Sequence, residues 1–128
     1  MKTIETVFED KRGTIENVLK QADVIRIKSN KGSRRAGHYH KEFGHWCLVT
    51  KGDITYYERR HGTNETPTKT VYNVGDVFWT GTMLDHLMVF ENFDENEFYC
   101  FSEGNRDKEN YETDTIRICD DLKAIYVE

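Results

Sequence analysis

The sequence predicts a single all-β domain built as a sandwich, a jelly roll or a barrel. Short runs of β-branched and aromatic residues follow one another along the chain, separated by turn residues, and this pattern is typical of β-strands. At 128 residues the chain has room for one hydrophobic core and little space for a second domain. Its 37% hydrophobic and 12% aromatic residues, with one proline, indicate a folded globular protein.

Eleven predicted strands account for most of the chain. They cover residues 4–8, 14–18, 24–29, 37–40, 45–50, 54–59, 69–73, 77–80, 86–91, 97–102 and 115–119. The turns at Gly52 and Gly75 each contain a glycine that can adopt positive φ. The polar segment 61–67 is predicted to be an exposed hairpin loop. Helix is expected only as short turns near residues 19–22 and 107–111.

Charge and composition exclude several classes of protein. A net charge of −5 and a pI near 5.6 argue against a broad basic surface for nucleic acid. The first residues lack the apolar core of a signal peptide, and no apolar run approaches the roughly 20 residues of a membrane helix. We therefore expect a cytoplasmic protein with a small-molecule substrate and neither a nucleic-acid nor a membrane partner.

The three cysteines, Cys47, Cys100 and Cys119, are widely spaced and form no CxxC pair. An odd number of cysteines without paired spacing predicts neither a disulfide framework nor a zinc knuckle. We therefore expect reduced thiols, mostly buried. Cys47 follows a histidine by two residues and is predicted to face inward, either as a small core residue or as a redox-active thiol.

Histidines are concentrated in "AGHYHKEFGHWCLVTKG", residues 36–52. Because side chains alternate along a strand, His38 and His40 share one face. In the next strand His45 shares a face with Cys47, and the opposite face, which begins at Trp46, is also apolar. Such a strand is predicted to be buried on both sides, where a lone imidazole needs a partner. Converging imidazoles of this kind predict a shared metal ion.

A further histidine, His86, enters an apolar strand in "TGTMLDHLMVF" and shares its predicted face with Met88 and Phe90. Four of the five histidines thus occupy strand positions that can point inward. The exception is His61, in the polar loop.

The stretch from Gly32 to Gly52 resembles the first motif of the cupin superfamily. The motif runs from a glycine through His-x-His and a glutamate to a second glycine, and His38 and His40 match its histidine pair. His45 stands where glutamate is usual. The second motif is matched less well. Gly75 and His86 keep its spacing, whereas three usual residues are replaced, proline by Gly81, glycine by Met83 and asparagine by Phe90.

The resemblance implies a single-domain cupin, a double-stranded β-helix or jelly-roll barrel, spanning residues 1–128 with its core over about residues 24–103. It carries the family's metal ligands over to His38, His40, His45 and His86. An all-imidazole set suits one divalent transition metal, which could be iron, manganese, nickel, zinc or copper. By the same resemblance we expect a homodimer that pairs through the strands at 4–8 and 14–18.

A narrower resemblance links "FEDKRGTIENVL" and "KGSRRAGHYHK" to cupins that isomerise or epimerise nucleotide-linked keto sugars, the 3,4-ketoisomerases and 3,5-epimerases. It implies an isomerase or epimerase whose catalysis needs no metal, in which His38 or His40 removes the proton next to the ketone. Tyr57 is a proton partner, with Tyr56 or Tyr99 as alternatives. Side chains that could bind a sugar nucleotide are Arg12, Arg35, Tyr56 and Tyr99.

Two other functions remain open at this point. An iron site could support a dioxygenase, which would lose activity without oxygen. Alternatively, the histidines could close a structural or sensing site in a non-catalytic binding module. Coordination separates these possibilities, because an open position favours chemistry and a closed four-coordinate site favours structure.

Overall fold

The computed structural model describes the backbone of residues 5–19, 24–40, 44–102 and 115–117, and the side chains of residues 6–16, 24–36 and 44–102. Within these ranges every regular element is a β-strand. The strands are β1 (Glu5–Asp10), β2 (Gly13–Leu19), β3 (Val24–Asn30), β4 (Ser33–His40), β5 (His45–Lys51), β6 (Asp53–Arg60), β7 (Thr68–Asn73), β8 (Val77–Thr80), β9 (Leu84–Phe90), β10 (Glu95–Ser102) and β11 (Thr115–Arg117).

The strands form two antiparallel sheets. One has the order β1-β2-β3-β10-β5-β8 and the other the order β11-β4-β9-β6-β7. Several strands that follow one another in sequence, such as β4 and β5, lie in different sheets, as a jelly roll requires. The predicted all-β class and jelly-roll architecture are confirmed. The short turns predicted near 19–22 and 107–111 fall largely or wholly outside the described residues.

The strand bounds agree closely with the prediction except in β4, which begins at Ser33 rather than at residue 37. The added residues are mostly polar, so they carry no strand signal of their own. Their strand conformation comes from pairing with apolar β9, where Ser33 lies opposite Phe90. A β-bulge between Ala36 and His38 then shifts the register, and Ala36 takes a φ of 69°.

The hydrophobic core lies between the two sheets. It contains Ile15, Ile25, Ile27, Cys47, Val49, Ile54, Tyr56, Phe78, Met88, Phe90, Phe98 and Cys100. These residues recur at every second position of their strands, which is the period expected for one inward face. The described part of the chain has no helix of the length and apolarity needed to cross a membrane.

The prediction that β5 is buried on both faces is wrong. His45, Cys47 and Val49 are buried, but Trp46 on the opposite face is 49% exposed. Trp46 pairs with Trp79 of β8, with ring centroids 5.1 Å apart. Cross-strand stacking of this kind accommodates large aromatic side chains at a surface, so an apolar composition alone does not establish burial.

Candidate metal centre

Strands β5 and β10 bring one histidine and two cysteines together inside the barrel. Cys47 lies directly opposite Cys100 in the register of the two strands, and His45 precedes Cys47 by two residues on the same face. The exposed fractions of His45, Cys47 and Cys100 are 3%, 0% and 3%. Neither cysteine is in a disulfide, in agreement with the prediction of buried, reduced thiols.

The potential ligand atoms of these three residues lie close to one another. The Sγ atom of Cys47 is 3.3 Å from Nδ1 of His45 and 3.7 Å from Sγ of Cys100. The three ligand atoms all lie within 4.8 Å of one another, so a single metal ion could contact all of them. The sequence predicts buried thiols at both positions, and at Cys47 either a core residue or a redox-active thiol. This prediction missed Cys100 as a potential ligand because nothing local in the sequence indicates that β10 pairs with β5.

His86 faces this cluster from the opposite sheet and is 1% exposed. Its ring centroid lies 6.5 Å from that of His45, with the rings in an edge-to-face arrangement. Nδ1 of His86 is 3.0 Å from the carbonyl oxygen of Leu84. Because a carbonyl oxygen only accepts, Nδ1 carries the proton and donates it, and the lone pair of a neutral ring then lies on Nε2. Backbone carbonyls hold metal-binding histidines in this way.

Tyr56 of β6 completes the described lining. Its ring lies roughly parallel to that of His86, with centroids 6.2 Å apart. Its hydroxyl is 3.1 Å from Oγ1 of Thr80, which belongs to the other sheet. Burial strongly raises the pKa of Tyr56, so the phenol keeps its proton at physiological pH. A phenol that keeps its proton can still donate a hydrogen bond, but it releases the proton poorly.

Solved structures with the same architecture identify the fold. The capsular polysaccharide assembling protein CapF from Staphylococcus aureus matches 92% of this chain at 17% identity and a TM-score of 0.78. The Drosophila melanogaster CENP-C cupin domain matches 78% at 15% identity and a TM-score of 0.65. Oxalate decarboxylase matches 76% at 13% identity, also at 0.65. The chain has the cupin fold.

The extent of these matches differs. This chain spans 35% of CapF, 75% of the CENP-C domain and 27% of oxalate decarboxylase. No protein-family model matches the sequence, and a search of curated proteins finds no match. The cupin fold that the sequence resemblance implies is confirmed by the matches to solved structures.

The predicted ligands His38 and His40 lie on β4 of the cupin barrel, but their side chains are outside the described residues. The backbone of His38 pairs with that of His86, and the backbone of His40 pairs with that of Thr115. The register therefore brings two of the four predicted ligand positions, 38 and 86, directly opposite each other. The four-imidazole set stays a prediction.

The predicted tyrosines fall on different faces. Tyr56 points into the barrel, whereas Tyr57, its neighbour in β6, has the Nζ atom of Lys69 6.0 Å from its ring centroid. Tyr99 alternates with the buried residues Phe98 and Cys100, and so occupies the outer face of β10. Alternation predicts that neighbouring residues diverge, but it does not say which of them faces inward. The catalytic role predicted for Tyr57 and the substrate-binding role predicted for Tyr99 remain predictions.

The two predicted substrate-binding arginines contact protein groups. Arg12 pairs with the carboxylate of Asp10, and hydrogen bonds from Arg12 lower the pKa of Asp10 to about 2. Arg35 is buried and donates hydrogen bonds to Oγ of Ser29 at 2.6 Å and to the carbonyl oxygen of Lys28 at 2.8 Å. The described contacts of both side chains therefore lie around strands β1 to β4.

His61 has a partner that its loop sequence does not reveal. The predicted loop over residues 61–67 is confirmed, and it connects β6 to β7. Nδ1 of His61 nevertheless lies 2.8 Å from a carboxylate oxygen of Asp85, which is buried at the start of β9. Asp85 is contributed by a distant part of the chain, so this contact could be found only from the structure.

Proposed function

We propose that this chain is a metal-dependent cupin enzyme that acts on a small sugar-type substrate inside its barrel. The observation that carries the proposal is the concentration of metal-binding side chains in the interior, His45, Cys47 and Cys100 from one sheet and His86 from the other. Apolar residues could fill the same space, so packing alone does not explain buried histidines and cysteines at these positions. Their convergence is typical of a functional site.

The described donor atoms fit a transition metal. Nitrogen and sulfur ligands suit zinc, iron, copper or nickel, whereas magnesium and calcium prefer oxygen. A bound divalent ion would supply Lewis-acid polarisation of a substrate oxygen. The predicted imidazole ligands for this ion are His38, His40, His45 and His86.

The other residues that line the interior orient neighbouring side chains and do not themselves exchange protons. The carbonyl of Leu84 fixes the tautomer of His86, so that the lone pair of the neutral ring lies on Nε2. Tyr56 retains its proton because a buried phenolate would be costly, and Thr80 orients its hydroxyl. If the reaction moves a proton beside a ketone, as we propose, a histidine is the better base, since imidazole is the usual general base of enzymes.

The sugar-type substrate rests on two lines of support. The sequence resembles cupins that isomerise or epimerise nucleotide-linked keto sugars, and CapF is by name a protein of capsular polysaccharide assembly. Because this chain spans only 35% of CapF, the activity of that whole protein is not carried over. We therefore propose the substrate class and the proton-transfer chemistry, with a homodimer in the cytoplasm as the setting.

The test is solvent-deuterium exchange into nucleotide-linked keto sugars, followed by mass spectrometry. The metal-loaded parent protein in D₂O should add deuterium next to the ketone. His86→Gln should lower the exchange rate more than tenfold, because it removes the imidazole from the interior. His61→Gln is the matched control and should retain parental activity, since His61 lies in the loop after β6. Absence of exchange in the parent, or equal exchange in His86→Gln, would contradict the proposal.

A non-catalytic binding module is the second candidate function. The observation in its favour is a row of exposed aromatic residues across three adjacent strands, formed by Phe101, Trp46 and Trp79. An exposed apolar patch of this kind commonly marks a surface for another protein.

A metal coordinated by four protein ligands with no exchangeable water would favour this module over the enzyme. Substrate turnover that requires dioxygen would instead favour the dioxygenase alternative.

A further inference from the structure

Two of the three separations among the ligand atoms of His45, Cys47 and Cys100 match tetrahedral coordination, and the third is below 4.8 Å. Zinc binds sulfur at about 2.3 Å and nitrogen at about 2.0 Å, which sets neighbouring ligands roughly 3.8 Å apart for two sulfurs and roughly 3.5 Å apart for sulfur and nitrogen. The observed separations are 3.7 Å for the two sulfurs and 3.3 Å for Cys47 Sγ and His45 Nδ1. A single ion could therefore bind with little movement of either cysteine.

The backbone holds this spacing. Cys47 and Cys100 are paired residues of adjacent strands, and β5 is itself held between β10 and β8. The distance between the two sulfurs is thus set by sheet geometry. Ligands fixed in this way bind a metal with little loss of side-chain entropy.

Charge also favours a site that contains sulfur. A divalent ion with two thiolates and one neutral imidazole has no net charge, whereas the same ion with four imidazoles retains two positive charges. Among the described residues no carboxylate joins the cluster itself, although Glu58 lies opposite His86 in the register and interacts with the Tyr56 side chain. Burying an uncompensated charge is expensive, and the cluster is almost completely buried.

We infer that His45, Cys47 and Cys100 supply three ligands to a thiophilic ion of the zinc type. All three ligands come from one sheet, so the remaining coordination position faces the other sheet, where His86 lies. This inference rests on the proposed function, because it names the ligands of the metal that the proposed enzyme uses. Binding converts two thiols to thiolates, and each ion bound releases two protons.

The test is titration of the reduced protein, residues 1–128, with Co²⁺. This ion replaces zinc and reports thiolate ligands through a sulfur-to-cobalt charge-transfer band in the near ultraviolet. The parent should bind one Co²⁺ and show this band. Cys47→Ser and Cys100→Ser should each lower its intensity about twofold, and the double variant should abolish it. If far-ultraviolet circular dichroism shows that the serine variants are unfolded, Cys47→Ala and Cys100→Ala are used in their place. Cys119→Ser is the matched control and should retain the band.

The outcomes separate this inference from the proposed function. Co²⁺ bound without the charge-transfer band would overturn the inference and leave the imidazoles as ligands, so the proposed enzyme would stand. A band that persists in the double cysteine variant would also overturn it. No Co²⁺ binding by the folded parent would overturn both proposals. The band together with absent deuterium exchange would support the site and contradict the enzyme.

Discussion

At the scale of single residues, Gly52 shows how one backbone position supports the barrel. It connects β5 to β6 with a φ of 69°, a conformation that favours glycine. A Cβ atom at this position would lie 2.1 Å from Oδ1 of Asn96. Asn96 is buried and accepts a hydrogen bond from the amide of Asp53 while donating to the carbonyl oxygens of Ser29 and Phe93. A side chain at position 52 would therefore displace a residue that joins three segments.

We predict that Gly52→Ala is more destabilising than Gly75→Ala, as measured by urea denaturation. Gly75 also has positive φ, but nothing lies within 4 Å of a Cβ atom built there. Both substitutions pay roughly 1–2 kcal/mol for a left-handed alanine. Gly52→Ala should cost about 1–3 kcal/mol more, because Asn96 has to move and its buried hydrogen bonds are lost. Equal losses of stability would show that Asn96 adapts without cost.

At the scale of strands, the hydroxyls of Tyr56 and Thr80 connect the two sheets. Tyr56 belongs to β6 and Thr80 to β8, and both side chains are buried. Their oxygen atoms are 3.1 Å apart. The Tyr56 ring also packs on Phe78, with centroids 5.0 Å apart. This contact fixes the separation of the sheets beside the candidate metal centre.

A double-mutant cycle tests this connection. Tyr56→Phe removes one hydroxyl and leaves the buried Thr80 hydroxyl without its described partner, which should cost about 1–3 kcal/mol of unfolding free energy. Thr80→Val should cost a similar amount because it leaves the phenol unpaired. The double variant should be less destabilised than the sum of the two, since neither polar group then remains. Strict additivity in thermal or urea unfolding would contradict a direct hydrogen bond.

The strands also show what the sequence can and cannot predict. The inward positions of His45 and His86 follow from alternation along apolar strands, and both are buried as predicted. Alternation does not fix which of Tyr56 and Tyr57 faces inward, because either choice gives a regular strand. It also cannot identify Cys100 as the neighbour of Cys47, since these residues are separated by 52 others and meet only through sheet pairing. Local patterns thus predict elements and faces, while the composition of the site depends on topology.

At the scale of the whole molecule, metal binding and folding should be thermodynamically linked. The proposed ligands lie on β5 and β10, which meet only in the folded barrel, so the unfolded chain presents no assembled site. An ion that binds only the native state stabilises it by an amount that grows with the ion's concentration relative to its dissociation constant. The same linkage applies to any ion bound in the interior. The substitutions that abolish the stabilisation by the ion therefore identify its ligands.

We therefore predict that Zn²⁺ raises the melting temperature of the chelator-treated parent protein. At a free concentration about 100 times the dissociation constant, the stabilisation should be about 2.7 kcal/mol, or roughly 10 °C for a domain of this size. Cys119→Ser should show the full increase, and the Cys47→Ser/Cys100→Ser double variant should show little. Mg²⁺ should have no effect, because it prefers oxygen ligands. An equal increase in the double variant would place the ion on the imidazoles, since the sulfurs would then contribute nothing to the stabilisation of the native barrel.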